Sequence, residues 1–134
     1  MSQYDLTNIV KQAIVVRKDL KMKPGKIGAQ VSHASQEFIW QQGTGHGLGH
    51  YFNAVLSDEQ IRWRQTGHRK ILLAVNSEEE LFAVRDAALA AGLTVHVVCD
   101  EGLTQLEPNT NTCLAIGPHF ATRLEPITQG LKLL

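Results

Sequence analysis

The chain lacks most of the features that identify a protein at a glance. Of its 134 residues only two are cysteines, Cys99 and Cys113, each inside an apolar run. That excludes a disulfide framework as the main stabiliser and leads us to expect two buried thiols. An excess of one charge is also missing: 13 Lys+Arg stand against 13 Asp+Glu, for a formal net charge of zero. This argues against a wholly basic nucleic-acid coat or a membrane-surface binder, while a local basic patch is not excluded. No stretch approaches the roughly 18–20 apolar residues that span a bilayer. The opening MSQYDLTNIVKQ lacks the basic, apolar, small-residue layout of a secretory signal. The expectation is a soluble cytoplasmic protein. A Gly-x-Ser-x-Gly elbow, a Walker loop and a dinucleotide fingerprint are absent as well.

What the chain does have is a real core. Hydrophobic residues make up 43% and charged residues 19%, in a length suited to one domain over residues 1–134. Residues 1–11 read as a polar lead-in. Ala13-Ile14-Val15-Val16 is short, β-branched and without alternation, as in a strand buried on both faces. Pro24-Gly25 then punctuates the start of a helix over about 25–40, whose buried face is Ile27, Val31, Ala34 and Phe38. Four glycines within residues 41–50 predict a loop, part of an insertion over 41–56. Ser57 to Gln60 and Ser77 to Glu80 both have capping-box form and start two further helices. Strands are predicted at 70–75, 94–99 and 112–116, the last stopped by Gly117-Pro118, and a final helix at about 121–129. The third and fourth strands are joined by about a dozen residues without a helix signal, which suits an antiparallel pair. Buried strands alternating with amphipathic helices give an α/β fold: three layers, αβα, around a mixed four-stranded sheet flanked by helices.

Two clusters could carry chemistry. Lys11, Arg17, Lys18, Lys21, Lys23 and Lys26 fall within sixteen residues and are opposed only by Asp19, a local charge of about +5. They lie at the exit of the first strand and the start of the first helix. Ligands gather at such strand ends, and a helix N-terminus offers free amide donors. A polyanion suits the patch, and so does the bland role of a solvated basic loop. Asp100 leaves the third strand directly, followed by Gly102 and Thr104, and later by Thr110 and Thr112. A carboxylate there can accept a proton or hold a cation, and the hydroxyls can orient water; the same residues can equally cap turns. His46 and His50 are four apart, but the glycines between and around them disfavour a helical metal pair. His33 lies just behind the basic loop and could face a site, whereas His96 reads as a core or rim histidine.

The segments A-I-V-V-R-K-D-L-K-M-K-P-G-K-I-G-A-Q-V-S-H-A, V-V-C-D-E-G-L-T-Q-L-E-P-N-T-N-T-C-L-A-I-G-P and T-Q-G-L-K-L-L resemble the type 2 peptidyl-tRNA hydrolases, in order, from about Gln12 to Leu134. The resemblance implies a mixed four-stranded sheet flanked by helices, usually in a homodimer. It implies hydrolysis of the ester joining a peptide to the 3′-terminal ribose of tRNA, recycling tRNA from stalled translation, with no metal or organic cofactor. Under it Lys21, Lys26, Gln30 and His33 match the family's Lys-x-x-x-Gly-Lys-x-x-Ala-Gln-x-x-His pattern, Asp100 and Thr104 its Asp-x-Gly-x-Thr, and Thr110 and Thr112 its Thr-x-Thr. The implied catalytic set is Lys26, Asp100 and Thr104. Asp100 with Thr104 would position and partly deprotonate the attacking water, and Lys26 would stabilise the oxyanion. Lys18, Lys21, Lys23, Gln30, His33, Thr110 and Thr112 would bind substrate.

Three positions depart from the family pattern. Pro24 stands where Lys is common, Glu101 where Ala is common, and Asn109 where Gly is usual. The first two bear on activity, and leave open a non-catalytic member of the same fold that binds tRNA or a protein. A metal-dependent hydrolase using His46 and His50 is the third, weaker reading.

Overall fold

The computed structural model describes residues 9–46, 49–102 and 106–134. Its centre is β1 (Val10–Arg17), whose apolar run has strand neighbours on both edges and is buried on both faces by residues of the covering helices. β4 (Lys70–Val75) pairs with it in parallel, and β6 (Thr110–Phe120) antiparallel. β5 (Val95–Asp100) pairs antiparallel with β6 and forms one edge. β7 (Lys132–Leu133) pairs antiparallel with β4 and forms the other. The expected mixed sheet is present, but with five strands rather than four, in the order β5-β6-β1-β4-β7. β7 escapes a sequence reading because both of its residues are exposed and it has no room for alternation.

Helices α1 (Pro24–Gln42) and α2 (Asp58–Gln65) cover one face, and α3 (Glu78–Ala90) and α4 (Ala121–Thr128) the other. Alternation along the strands divides the core accordingly. Ala13 and Val15 join Leu81, Val84 and Leu124 under α3 and α4, while Ile14 and Val16 join Ala34 and Ile27 under α1. Pro24 occupies the first turn of α1, where its missing N–H has no helical partner to lose, and Lys23 is the N-cap. Ser57 and Gln60 form the full capping box. At α3 only half of it forms: Ser77 accepts from the Glu80 amide, but the Glu80 carboxylate accepts from the Asn76 amide instead.

Three other expectations change. The glycine-rich stretch is only in part a loop: α1 runs on to Gln42, Gly43–His46 (β2) pairs antiparallel with Tyr51–Ala54 (β3), and Gly49 and His50 form a turn before β3. β6 passes through Gly117-Pro118 and continues to Phe120. Gly117, at φ 92°, and the register shift opposite Lys11–Ala13 absorb the residue that cannot donate. Of the two thiols only Cys113 is buried. Cys99 is exposed, because it follows an irregularity on an edge strand. The predicted lead-in also ends early: β1 already begins at Val10.

Leu114 is fully buried on the central face and Leu89 is 53% exposed on α3. Urea denaturation of Leu114→Ala is expected to show a loss of about 2–5 kcal/mol, and Leu89→Ala a change within about 0.5 kcal/mol.

Candidate active site

The chain leaves β1 through a single 3₁₀ turn, Lys18–Leu20, closed by Lys21 in the left-handed region at φ 53°. That turn brings the start of α1 across to the end of β5. There the Lys26 Nζ donates to Asp100 Oδ1 at 2.5 Å, with the two side chains only 10% and 7% exposed. The sequence pattern placed these residues seventy-four positions apart, and the fold joins them.

The carboxylate is held from several sides. Gly102 donates its amide to Asp100 Oδ2 at 2.8 Å. Gly102 sits at φ 79°, and a Cβ there would come within 2.7 Å of the Pro108 backbone, so the tight return needs glycine. The return is closed by Asn109, whose amide donates to the Asp100 carbonyl at 2.8 Å and whose φ is 63°. Asparagine thus takes the backbone role of the usual glycine. Behind the carboxylate, Thr112 Oγ donates to Gln30 Oε1 at 2.5 Å, and Gln30 Nε2 faces Asp100 Oδ1 at 3.4 Å. Gln30 is buried and Thr112 fully so, which makes them supports of the carboxylate at the floor of the site.

The hydrogen bond from Lys26 holds the Asp100 carboxyl below the usual carboxylate range; burial opposes this, while the Gly102 amide and the Lys26 charge add to it. Burial pushes the Cys113 thiol up to about 11, with the Thr112 hydroxyl partly opposing. It therefore stays a neutral packing group behind Gln30.

An open cleft of about 930 Å³ lies over this pair, between α1 and β5. Lys26, Gln30 and His33 line it from α1, and Asp100 and Glu101 from the strand end. Gln36, Glu37 and Trp40 continue the same wall; the sequence reading missed them, although they follow Lys26 and His33 at helical spacing. Lys21 and Lys23 are exposed on the approach to α1. Lys18 points elsewhere and lines a separate depression with Asn76 and Lys132. Arg17, counted in the basic patch, is engaged by Asp19 at 2.7 Å and Glu78 at 3.5 Å. Thr110 donates to the Glu107 carbonyl at 2.6 Å, in the turn that leads into β6, and does not line the cleft. Thr104 lies outside the described residues. His46 and His50 belong to the β2–β3 hairpin and its turn, not to a helix. Among the described residues, no group of three His, Cys, Asp or Glu could hold a metal ion.

A desolvated ammonium beside a fixed carboxylate, at one end of an open groove, can polarise a carbonyl oxygen and orient a water molecule. Comparison with known proteins gives this chemistry a family. The sequence model of the peptidyl-tRNA hydrolase PTH2 family matches residues 10–134. The chain is 44% identical over 124 residues to a peptidyl-tRNA hydrolase of Haloquadratum walsbyi, covering 92% of this chain and 99% of the relative. It is 40% identical over 125 residues to one of Methanopyrus kandleri, covering 92% and 97%. The chain belongs to the peptidyl-tRNA hydrolase PTH2 family. A solved protein of unknown function from Agrobacterium tumefaciens shares the fold at TM-score 0.55 and 16% identity, over 93% of this chain and 97% of that one. Among the described residues no helix is long and apolar enough to cross a membrane.

A carboxyl held below its ordinary range in the folded state contributes stability above about pH 4, and loses it as pH falls through the lowered value. The stability difference between the natural chain and Asp100→Asn is therefore expected to be constant from pH 7 to pH 5 and to shrink in more acid solution. Urea midpoints across that range check this, and a difference independent of pH would contradict it.

Proposed function

We propose that the chain hydrolyses the ester bond between the peptide and the 3′-terminal ribose of peptidyl-tRNA, with Lys26 and Asp100 as its catalytic residues. The observation that carries the reading is the 2.5 Å contact between those two side chains in the wall of the cleft. Water attacks the ester carbonyl carbon, and the bond from that carbon to the 3′-oxygen breaks. One water proton passes to the departing 3′-oxygen and the other is released to solvent, leaving a peptide carboxylate and a tRNA with a free 3′-hydroxyl. The Lys26 ammonium faces the carbonyl oxygen as it gains negative charge.

Asp100 serves this reaction more by orientation than by basicity. A carboxylate held low by an ammonium and an amide is a weak proton acceptor at neutral pH. It accepts a hydrogen bond from the attacking water and fixes the Lys26 head group. Gln30 and Thr112 position the carboxylate, and Thr104 shares the water by its place in the Asp-x-Gly-x-Thr pattern. His33, exposed on the cleft wall about two turns of helix beyond Lys26, contacts the substrate around the ester, and Thr110 contacts it from outside the cleft. Lys21 and Lys23 hold tRNA phosphates near the entry to α1, and Lys18 does so further out, beside β7. The family reading also carries a homodimer and a place of work in the cytoplasm with the translating ribosomes. Light scattering tests the first: the expected mass is twice the 14.8 kDa of one chain.

The deciding experiment is release of peptide from a defined N-blocked aminoacyl-tRNA. The natural chain is expected to cleave it, and Lys26→Met and Asp100→Asn to lower kcat by roughly a hundredfold or more. Binding without cleavage by the natural chain would instead identify a tRNA-binding member of the fold. Each of Lys21→Ala and Lys23→Ala is expected to flatten the dependence of log KM on log salt by roughly one unit of slope. Unchanged slopes would remove those lysines from the tRNA contact.

A further inference from the structure

The cleft does not end at the ion pair. It follows α1 from Lys26 to Trp40, fourteen residues or about 21 Å of helix at 1.5 Å per residue. α1 and β5 run in opposite directions along it: Lys26 meets Asp100, and further on Glu37 lies close enough to His96 to act on its charge. Four consecutive strand residues, Val97 to Asp100, line the cleft. Successive strand side chains point to opposite faces, so a cavity touching all four runs along the outer edge of the strand. Among the described residues no strand pairs with that edge.

The far end of the cleft is a built aromatic platform. Trp40 is 54% exposed, yet its ring is fixed. Its indole N–H donates to Gln36 Oε1 at 2.9 Å, and the Phe52 ring packs against it with centroids 4.8 Å apart. Phe52 reaches that position from β3 because Gly43 has no side chain; a Cβ there would lie 2.3 Å from the Phe52 ring. A rigid aromatic held out to solvent binds with little loss of side-chain freedom. Charge then selects its partner. Among the described residues lining the cleft, Lys26 is the only lysine or arginine, while Glu37 and Glu101 are acidic. A phosphate backbone is repelled there, and the exposed lysines Lys21 and Lys23 lie before α1, outside the cleft.

Given hydrolysis of peptidyl-tRNA at Lys26 and Asp100, we infer that the peptide part of the substrate runs extended along the α1–β5 cleft, away from the lysines, and rests an apolar side chain on the Trp40–Phe52 platform. The free edge of β5 offers backbone partners to an extended chain. At 3.3–3.6 Å per residue the platform is reached about six residues from the ester. Substrates with one blocked amino acid stop short of it.

The test compares cleavage of three tRNA esters: one blocked amino acid, an eight-residue peptide with leucine sixth from the ester, and the same peptide with glycine there. For the natural chain, kcat/KM is expected to be highest for the leucine peptide. In Trp40→Ala the ratio of kcat/KM for the leucine peptide to that for the single amino acid falls roughly three- to tenfold. The glycine peptide shows little of this, and Trp40→Tyr restores most of the ratio. Phe52→Leu, which removes the stacking partner, is expected to act in the same direction. An equal loss on all three substrates would assign the platform to tRNA or to the fold, and would overturn the inference. An unchanged ratio would overturn it too, as would a change only in oligomeric mass by light scattering. If the natural chain cleaves none of the three, the hydrolase reading itself fails; cleavage without the length dependence sinks the peptide path alone.

Discussion

A lysine and an aspartate removed together from water tie the first turn of α1 to the end of β5, and the rest of the site is arranged around that contact. Neither charge would be tolerated there alone. A buried ammonium or carboxylate without a partner must shed its charge or disrupt its surroundings. Lys26 and Asp100 satisfy each other at 2.5 Å, and the remaining carboxylate oxygen takes the Gly102 amide. The support extends outward through Gln30 to Thr112 on β6, so three elements of the fold share in fixing one carboxylate. A pair so constrained holds its geometry before substrate arrives, which is what an electrostatic site requires.

The parts of the fold that were legible in the sequence are those whose burial dictates composition. β1 is covered on both faces and has no choice but an unbroken apolar run, and α1 buries Ala34 and Phe38 at helical spacing. The meeting of the basic segment with Asp100 was also foreshadowed, because both lie at carboxyl ends of strands. The β2–β3 hairpin was not legible. Its glycines suggest freedom, whereas Gly43 is needed so that Phe52 can lie across it. Close approach and flexibility leave the same residue in the sequence. Glu80 was equally ambiguous, because a carboxylate three residues into a helix can reach the N-cap amide or the one before it. Gln30 and Thr112 fit a substrate-binding pattern, and the fold adds what a pattern does not carry: Gln30 lines the cleft while it and Thr112 also back the carboxylate.

Contacts divide the basic patch into engaged and solvent-facing charges. Six cations fall between Lys11 and Lys26, but Arg17 is engaged by Asp19 and Glu78, and Lys26 by Asp100. The charge that faces solvent comes chiefly from Lys18, Lys21 and Lys23. The left-handed turn at Lys21 directs the chain from the 3₁₀ turn to the helix start, so the lysines there do not follow a single face. Pro24 fits this arrangement. In the first turn of a helix a proline gives up no hydrogen bond, so the departure from the family pattern removes a side chain without disturbing the backbone that presents Lys26.

The balance of charge along the cleft follows from the same placement. The lysines are concentrated before α1, and beyond Lys26 the wall turns neutral and then acidic, ending in fixed aromatic rings. A substrate that is polyanionic at one end and a neutral polyamide at the other matches that gradient in only one orientation. On the proposed peptide path, the ester between its two halves falls at the boundary, where Lys26 and Asp100 stand. On that proposal, orientation of the whole substrate does part of what a stronger base would otherwise have to do, since an ester held against a fixed ammonium and an ordered water needs no full proton transfer to Asp100. A weakly basic carboxylate is what such a site calls for: its charge keeps the lysine in place, and its low proton affinity keeps that charge present throughout the neutral range.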